Sequence, residues 1–169
     1  MDRLPDEILK EILEPSLHIP DDEFSSIGRA RESPFGRTAR NSSSLLIVSK
    51  RWMRVATPLL YEVVIIRSTA QAQALAYAIK SNKAFGLFIK KIRMEGGFGK
   101  APAQFIASAP NIRDIFLTLD LWSSDNPAGL CSVFSGTRKQ SNYGTVYLPA
   151  STIGQISRYW NTIRPSSLQ

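Results

Sequence analysis

The first 61 residues contain two amphipathic helical patterns, and these constrain the fold more than any other feature. In the first, apolar side chains recur at helical spacing on one stripe, namely Leu4, Ile8, Leu9, Ile12 and Leu13. Pro5 suits the first helical position, and the acidic Asp6 and Glu7 suit the first turn. Pro15 is expected to end this helix. The pattern predicts a short helix with one broad apolar face.

The second pattern lies some thirty residues later. Its apolar face comprises Leu45, Val48, Trp52, Val55 and Ala56, and the serines 42–44 supply candidate N-caps. Pro58 is expected to kink or restart the helix. Together the two helices carry more apolar surface than a hairpin of this size can bury within itself. A surface of that kind predicts a protein-binding site.

Beyond Tyr61 the pattern changes to short apolar runs that alternate with helical segments. Runs at 62–67, 88–94 and 112–119 read as strands, and 70–81 and 103–109 read as helices. Because connections of this length suit parallel pairing, we predict one parallel sheet. Its buried residues should be Val64, Ile66, Ile92, Ile115 and Leu117. The fold class is therefore α+β or α/β. The strand spacing favours a leucine-rich-repeat-like solenoid over a small layered α/β domain, although the leucine consensus itself is absent.

The predicted organisation has three parts. Residues 1–61 form a helical module that is interrupted by a loop at 16–44. Residues 62–125 form the repeat-like β/α region, and 126–169 form an irregular basic tail rich in serine and threonine. The tail is expected to be poorly ordered and to add no strand to the sheet, because 137–142 is polar where the next repeat would begin. Tyr143–Leu148 reads at most as a lone strand.

Composition excludes several chemistries. The single cysteine, Cys131, excludes an internal disulfide, and with His18 as the only histidine no Cys/His zinc cluster is expected. We identify no catalytic residue, metal site or cofactor. No membrane span or secretory signal is expected, which favours the cytoplasm or the nucleus.

The net charge of +7 is concentrated in the middle of the chain, where residues 45–100 carry ten bases and two acids. A basic region of this kind allows a nucleic-acid-binding module as an alternative function. However, the lysines at 80–91 lack the interleaved aromatic residues that stack on bases. A solvated basic face is therefore the favoured interpretation, and we do not expect a nucleic-acid partner.

Two motifs carry a family resemblance: Leu4-Pro5-x-Glu7-Ile8-x-x-x-Ile12, and Val48-Ser49-x-Arg51-Trp52. In this order the pair resembles the F-box. Ala56–Tyr61 and Leu121–Asp125 extend the likeness to fungal F-box substrate receptors, over residues 1–131 in all. The loop at 16–44 is longer than in a minimal F-box, and the tail after Cys131 does not continue the repeat pattern.

The resemblance implies a substrate-receptor subunit of a cullin–RING (SCF-type) ubiquitin ligase rather than an enzyme. Its partners would be the small F-box-binding adaptor, the cullin indirectly, and an unidentified protein substrate destined for ubiquitin-dependent degradation. The adaptor-binding residues would be Leu4, Pro5, Ile8, Ile12, Leu45, Val48 and Trp52. A related alternative is an F-box-like scaffold that acts outside a ligase.

Overall fold

The computed structural model describes residues 4–27, 33–36, 42–118, 128–130 and 145–148. The helices are α1 (Asp6–Leu17), α2 (Asp21–Ser25), a 3-10 helix (Ser42–Ile47), α3 (Lys50–Glu62), α4 (Thr69–Ser81), α5 (Ala84–Phe88) and α6 (Ala101–Ala107). The strands are β1 (Val63–Ile66), β2 (Lys91–Met94), β3 (Asp114–Leu117) and β4 (Thr145–Tyr147). The fold therefore combines helices with one sheet, as the sequence predicts.

All four strands pair in parallel, in the order β1-β2-β3-β4. This confirms the prediction of parallel strands. Val64, Ile92, Ile115 and Val146 lie side by side in the register, as do Ile66, Met94 and Leu117. Of the five residues predicted to be buried, Ile66, Ile92, Ile115 and Leu117 are buried, and Val64 is half-buried against the same core.

The prediction that the tail adds no strand was wrong. β4 comes from the predicted tail and pairs with β3 through Thr145, Val146 and Tyr147. These are β-branched and aromatic residues that favour strands, and a parallel neighbour can be reached after a connection of any length beyond about a dozen residues. The polar stretch before Tyr143 therefore does not prevent pairing. Apart from 145–148, residues 132–169 lie outside the described part of the chain.

Several predicted helix boundaries also need correction. α1 continues through Pro15 to Leu17, because a proline in the last turns removes only one helical donor. The apolar stretch at Leu45 belongs to the 3-10 helix, and α3 begins at Lys50 with Ser49 as its N-cap, rather than a serine of 42–44. α3 then continues through Pro58 without a break. The predicted strand at 88–94 is shortened to β2, because Phe88 ends α5.

Helices α4, α5 and α6 supply the apolar side chains that cover one face of the sheet. The core residues contributed by the strands include Ile66, Ile92, Met94, Ile115 and Leu117, and those contributed by the helices include Ala72, Leu75, Ile79, Phe105 and Ile106. Ser68 caps α4 by accepting a hydrogen bond from the Gln71 backbone N–H at 3.2 Å. Serine is one of the residues preferred at this position, because its hydroxyl oxygen can satisfy a backbone N–H of the first turn.

The opposite face of the sheet is covered by part of the segment predicted as a loop, residues 16–44. α2 lies against this face, where Phe24 is buried, and Phe35 of the turn at 33–36 is buried near Arg93. The prediction of a loop over 16–44 was wrong at Asp21–Ser25, where α2 is too short to show helical periodicity in the sequence. The sequence also does not reveal that two aromatic residues of the segment are part of the protein interior.

Gly86 provides a test of the packing between α5 and the end of α6. A Cβ atom at this position would lie 2.2 Å from the Ser108 carbonyl oxygen. Helix propensity alone favours Gly86→Ala by about 1 kcal/mol. We expect the clash to outweigh that gain, so that Gly86→Ala destabilises the fold by about 1–3 kcal/mol in denaturant unfolding. The matched control is Leu87→Ala on the exposed side of the same helix, which should stay within about 0.5 kcal/mol of wild type. A stabilised Gly86→Ala variant would contradict this packing.

Candidate protein interface

The N-terminal module is built on the packing of α1 against α3. Leu9, Leu13 and Leu17 of α1 are buried with Ala56 and Leu59 of α3. Half-buried side chains surround them, namely Leu45, Leu46, Trp52, Val55 and Leu60. Consecutive leucines at i and i+4 lie on one side of a helix, so a single row of α1 meets α3. This row makes the internal core of the module.

A second apolar row of α1 faces away from that core. Ile8 and Ile12 of α1 and Leu4, just before the helix, repeat every four residues, one position before the buried row, and all three are exposed, Ile12 to 55%. Adjacent helical residues are rotated by about 100°, so the two rows occupy different faces. The single stripe expected from the sequence is therefore two stripes, of which one is buried and one is free.

Apolar exposure is also found in and beside α3. Ile47 is exposed to 85%, and Val48 and Met53 are exposed as well. Ile47 and Val48 connect the 3-10 helix to Ser49, which accepts a hydrogen bond from the Trp52 backbone N–H at 3.1 Å. Trp52 is half-buried against the core of the module. The name "apolar rim" is used below for the exposed side chains Leu4, Ile8, Ile12, Ile47, Val48 and Met53.

A polar clamp joins the start of α1 to the start of α3. Asp6 accepts hydrogen bonds from Arg51 Nε at 2.8 Å and from Arg54 Nη2 at 2.6 Å. Arg51 also donates to the Leu4 carbonyl oxygen. The hydrogen bond from Arg51, aided by Arg54, lowers the pKa of Asp6 below its usual value. The clamp thus holds the start of α1, and Leu4 just before it, next to the start of α3.

The seven predicted interface residues divide into two groups. Leu4, Pro5, Ile8, Ile12 and Val48 are exposed, whereas Leu45 and Trp52 are half-buried against the module core. Sequence reasoning missed Ile47 and Met53, and it missed the Asp6 clamp. The run Leu45-Leu46-Ile47-Val48 was the available signal, since four consecutive apolar residues cannot all face inward from one short helix.

The face of the sheet beneath α2 forms a second surface of interest. Residues 20–27, called the strap below, place Phe24 edge-on to Phe116 and to Tyr147, with ring centroids 6.4 Å apart in both cases. Asp21 at the start of α2 pairs with Lys91 of β2. The hydrogen bond from Lys91 lowers the pKa of Asp21, and the same hydrogen bond raises the pKa of Lys91.

Arg93 connects the strap to the sheet from below. Its side chain is fully buried, and Nη1 donates to the carbonyl oxygens of Phe24 at 2.5 Å and of Ser26 at 2.9 Å. Nε pairs with the buried Glu95 at 2.7 Å, and the guanidinium lies 3.9 Å from the Phe116 ring centroid. Burial lowers the pKa of Arg93, while Glu95 opposes that shift. The second carboxylate oxygen of Glu95 has no hydrogen-bond partner among the described residues.

The described part of the chain offers no arrangement for metal chemistry: no group of three or more His, Cys, Asp or Glu side chains is placed to hold an ion. The turn at Gly96–Gly99 follows β2 and has positive φ at Gly96, Phe98 and Gly99, as expected for a turn that ends a strand. None of the described helices has the length and apolar character needed to cross a membrane. Cys131 and the motif at 121–125 lie outside the described residues.

Comparison with protein-family models gives no match for this chain. Comparisons with curated proteins and with solved structures likewise give no significant match.

The division of α1 into a buried and a free row predicts unequal effects on stability. Leu13→Ala should lower the free energy of unfolding by about 2–5 kcal/mol, because it leaves a cavity beside α3. Ile12→Ala, one residue away and exposed, should change it by no more than about 0.5 kcal/mol. Denaturant unfolding of the two variants measures both values. Equal losses would show that Ile12 belongs to the core.

The clamp at Asp6 predicts a pH dependence. Because its pKa is lower in the folded state, the unfolded chain takes up the proton first as the pH falls. The stabilisation is therefore complete above the ordinary aspartate pKa of about 4 and is lost as the pH drops below it. Thermal unfolding of wild type and Asp6→Asn should differ near neutral pH, and the difference should shrink as the pH falls below about 4. A difference that grows on acidification would contradict the clamp.

Proposed function

We propose that this chain is an F-box-type substrate receptor that links a target protein to the adaptor of a cullin–RING ubiquitin ligase. The observation that carries the proposal is the apolar rim, in which isoleucine, leucine, valine and methionine side chains stay exposed around two helices that already have their own core. Exposed apolar surfaces of this kind are typical of protein-binding sites. The F-box motifs at Leu4–Ile12 and Val48–Trp52 supply the family assignment.

The rim is suited to a rigid docking role. Its α1 residues are held by the buried leucine row and by the Asp6 clamp, so little order must be gained on binding. Pre-organised apolar anchors lower the entropic cost of association. Leu45 and Trp52 are half-buried against the module core. We assign them a supporting role and assign direct contact to Leu4, Ile8, Ile12 and Val48.

The substrate-presenting part would be the β/α region. Register partners in successive strands are 28, 23 and 31 residues apart along the chain, from Val63 to Lys91, Asp114 and Thr145. Repeats of about 20–29 residues are typical of leucine-rich-repeat solenoids. We therefore interpret the sheet as a short repeat array. In this role the protein positions a substrate for another subunit's chemistry and contributes proximity alone.

The charge distribution favours a protein partner over the nucleic-acid alternative. Five of the ten bases in residues 45–100 are engaged with carboxylates inside the chain, namely Arg51, Arg54, Lys90, Lys91 and Arg93. Bases that already have an acidic partner release fewer counterions on binding a phosphate backbone. The number of bases in residues 45–100 is therefore larger than the number that remains available to bind phosphate groups.

A calorimetric titration of the purified chain with the F-box-binding adaptor tests the proposal. The variant Ile8→Ala/Ile12→Ala/Val48→Ala should bind at least about thirtyfold more weakly, because loss of interface anchors typically costs about 2 kcal/mol or more. Tyr77→Ala removes an equally exposed side chain from α4 and is the matched control. It should bind like wild type.

Two outcomes would reject the proposal. One is that the wild-type chain does not bind the adaptor at all. The other is that the triple variant, shown to be folded by its unfolding transition, binds with wild-type affinity.

A further inference from the structure

We propose that the sheet face formed by Lys91, Arg93, Phe116 and Tyr147 is a binding site for a short acidic–aromatic helical segment of another protein, and that the strap occupies this site in cis. The inference rests on the proposed function, because the incoming segment would belong to the substrate that the receptor presents. It adds the place of binding and the chemical class of the ligand.

The strap forms a complete helical turn by itself. The Phe24 backbone N–H donates to the Pro20 carbonyl oxygen at 2.9 Å, and the Ser25 hydroxyl donates to the Asp21 carbonyl oxygen at 2.8 Å. The Ser26 hydroxyl donates to the Glu23 carbonyl oxygen at 2.7 Å. These bonds are internal to the strap. The turn is therefore a module whose shape a peptide of the same sequence can adopt.

The contacts between the strap and the sheet are few and chemically specific. Asp21 supplies a carboxylate to Lys91, and Phe24, three residues later, supplies the ring that meets Phe116 and Tyr147. Lys91 Nζ also lies 6.0 Å from the Phe24 ring centroid, and two carbonyl oxygens, which every peptide offers, accept from Arg93. Asp21 and Phe24 therefore supply an Asp-x-x-Phe element on one helical turn.

The receiving surface is built independently of the strap. Arg93 is held by Glu95 and by the Phe116 ring, and Phe116 and Tyr147 are register neighbours of Arg93 on β3 and β4. Lys91 lies 3.8 Å from Asp114. These partners belong to the sheet or follow it directly, so they still hold Lys91 and Arg93 when the strap leaves, while water or an incoming segment must replace the strap groups that Arg93 and Lys91 bind.

The attachment of the strap to the rest of the chain permits its release. Phe24 is the only buried side chain in residues 20–27, whereas Asp22 and Ile27 are exposed. α1 is anchored before the strap by Leu9, Leu13 and Leu17. A parallel sheet normally has both faces covered. A segment in trans that matches the strap would restore that cover, and the two would compete for one site.

Fluorescence anisotropy with a labelled peptide of residues 19–27 (Ile-Pro-Asp-Asp-Glu-Phe-Ser-Ser-Ile) tests the proposal on the full-length chain without adaptor. The substitution Phe24→Ala weakens the binding of the strap to the sheet and leaves the residues of the sheet face unchanged. Since an apparent Kd equals the intrinsic Kd divided by the open fraction, this variant should bind the peptide at least about tenfold more tightly than wild type. The same peptide with its Phe replaced by Ala should lose about tenfold or more in affinity. Lys91→Ala, placed in the Phe24→Ala protein, should also weaken binding.

Each contrary result overturns the inference. Equal peptide affinity for wild type and Phe24→Ala would show that the strap does not compete, and equal affinity for the two peptides would show that the ring is not recognised. An unfolded Phe24→Ala protein would show that the strap is an obligatory part of the core. Adaptor titration of the same protein separates the two proposals. Normal adaptor binding without peptide binding rejects this inference alone, whereas peptide binding without adaptor binding rejects only the proposed function.

Discussion

The fold depends on the need to cover both faces of a four-stranded parallel sheet. Crossover connections place α4 and α6 on one face, where they meet the row that contains Ile92 and Ile115. Within the described part of the chain, the strap and not a crossover helix covers the other face. Arg93 projects into it and would leave a charge buried without sufficient partners if only Glu95 were present. The carbonyl oxygens of Phe24 and Ser26 complete the coordination of this guanidinium, which explains why a segment distant in sequence covers the sheet.

The sequence predicts the sheet well because the signal there is local. β-branched runs separated by helical patterns leave few alternatives to parallel strands, and the capping serine at 68 marks the start of α4. β4 was missed as a member of the sheet because Thr145–Tyr147 is short and is preceded by polar residues. Its pairing with β3 is a tertiary contact across about 30 residues, and no local pattern specifies such a contact.

The candidate interface was predictable only in part, for a related reason. Periodicity shows that Ile8, Leu9, Ile12 and Leu13 lie on adjacent faces of α1, but it does not show which of the two rows α3 will cover. That choice is made by the packing of Leu9 and Leu13 against Ala56 and Leu59. The burial of residues in 16–44 was harder still to predict. Phe24 and Phe35 are isolated aromatic residues in a polar stretch, and isolated apolar residues carry no period.

The two proposed surfaces are joined in sequence by α1, which carries rim residues Ile8 and Ile12 and ends just before the strap. Only His18, Ile19 and Pro20 connect the buried Leu17 to α2. Pro20 fixes the backbone at the start of α2, so the change of direction between the module and the strap is confined to this short link. A movement of the strap off the sheet would include rotation at these residues, and the leucine row of α1 lies outside the segment that moves. The apolar rim can therefore remain docked on an adaptor while the sheet face exchanges its own segment for that of a substrate.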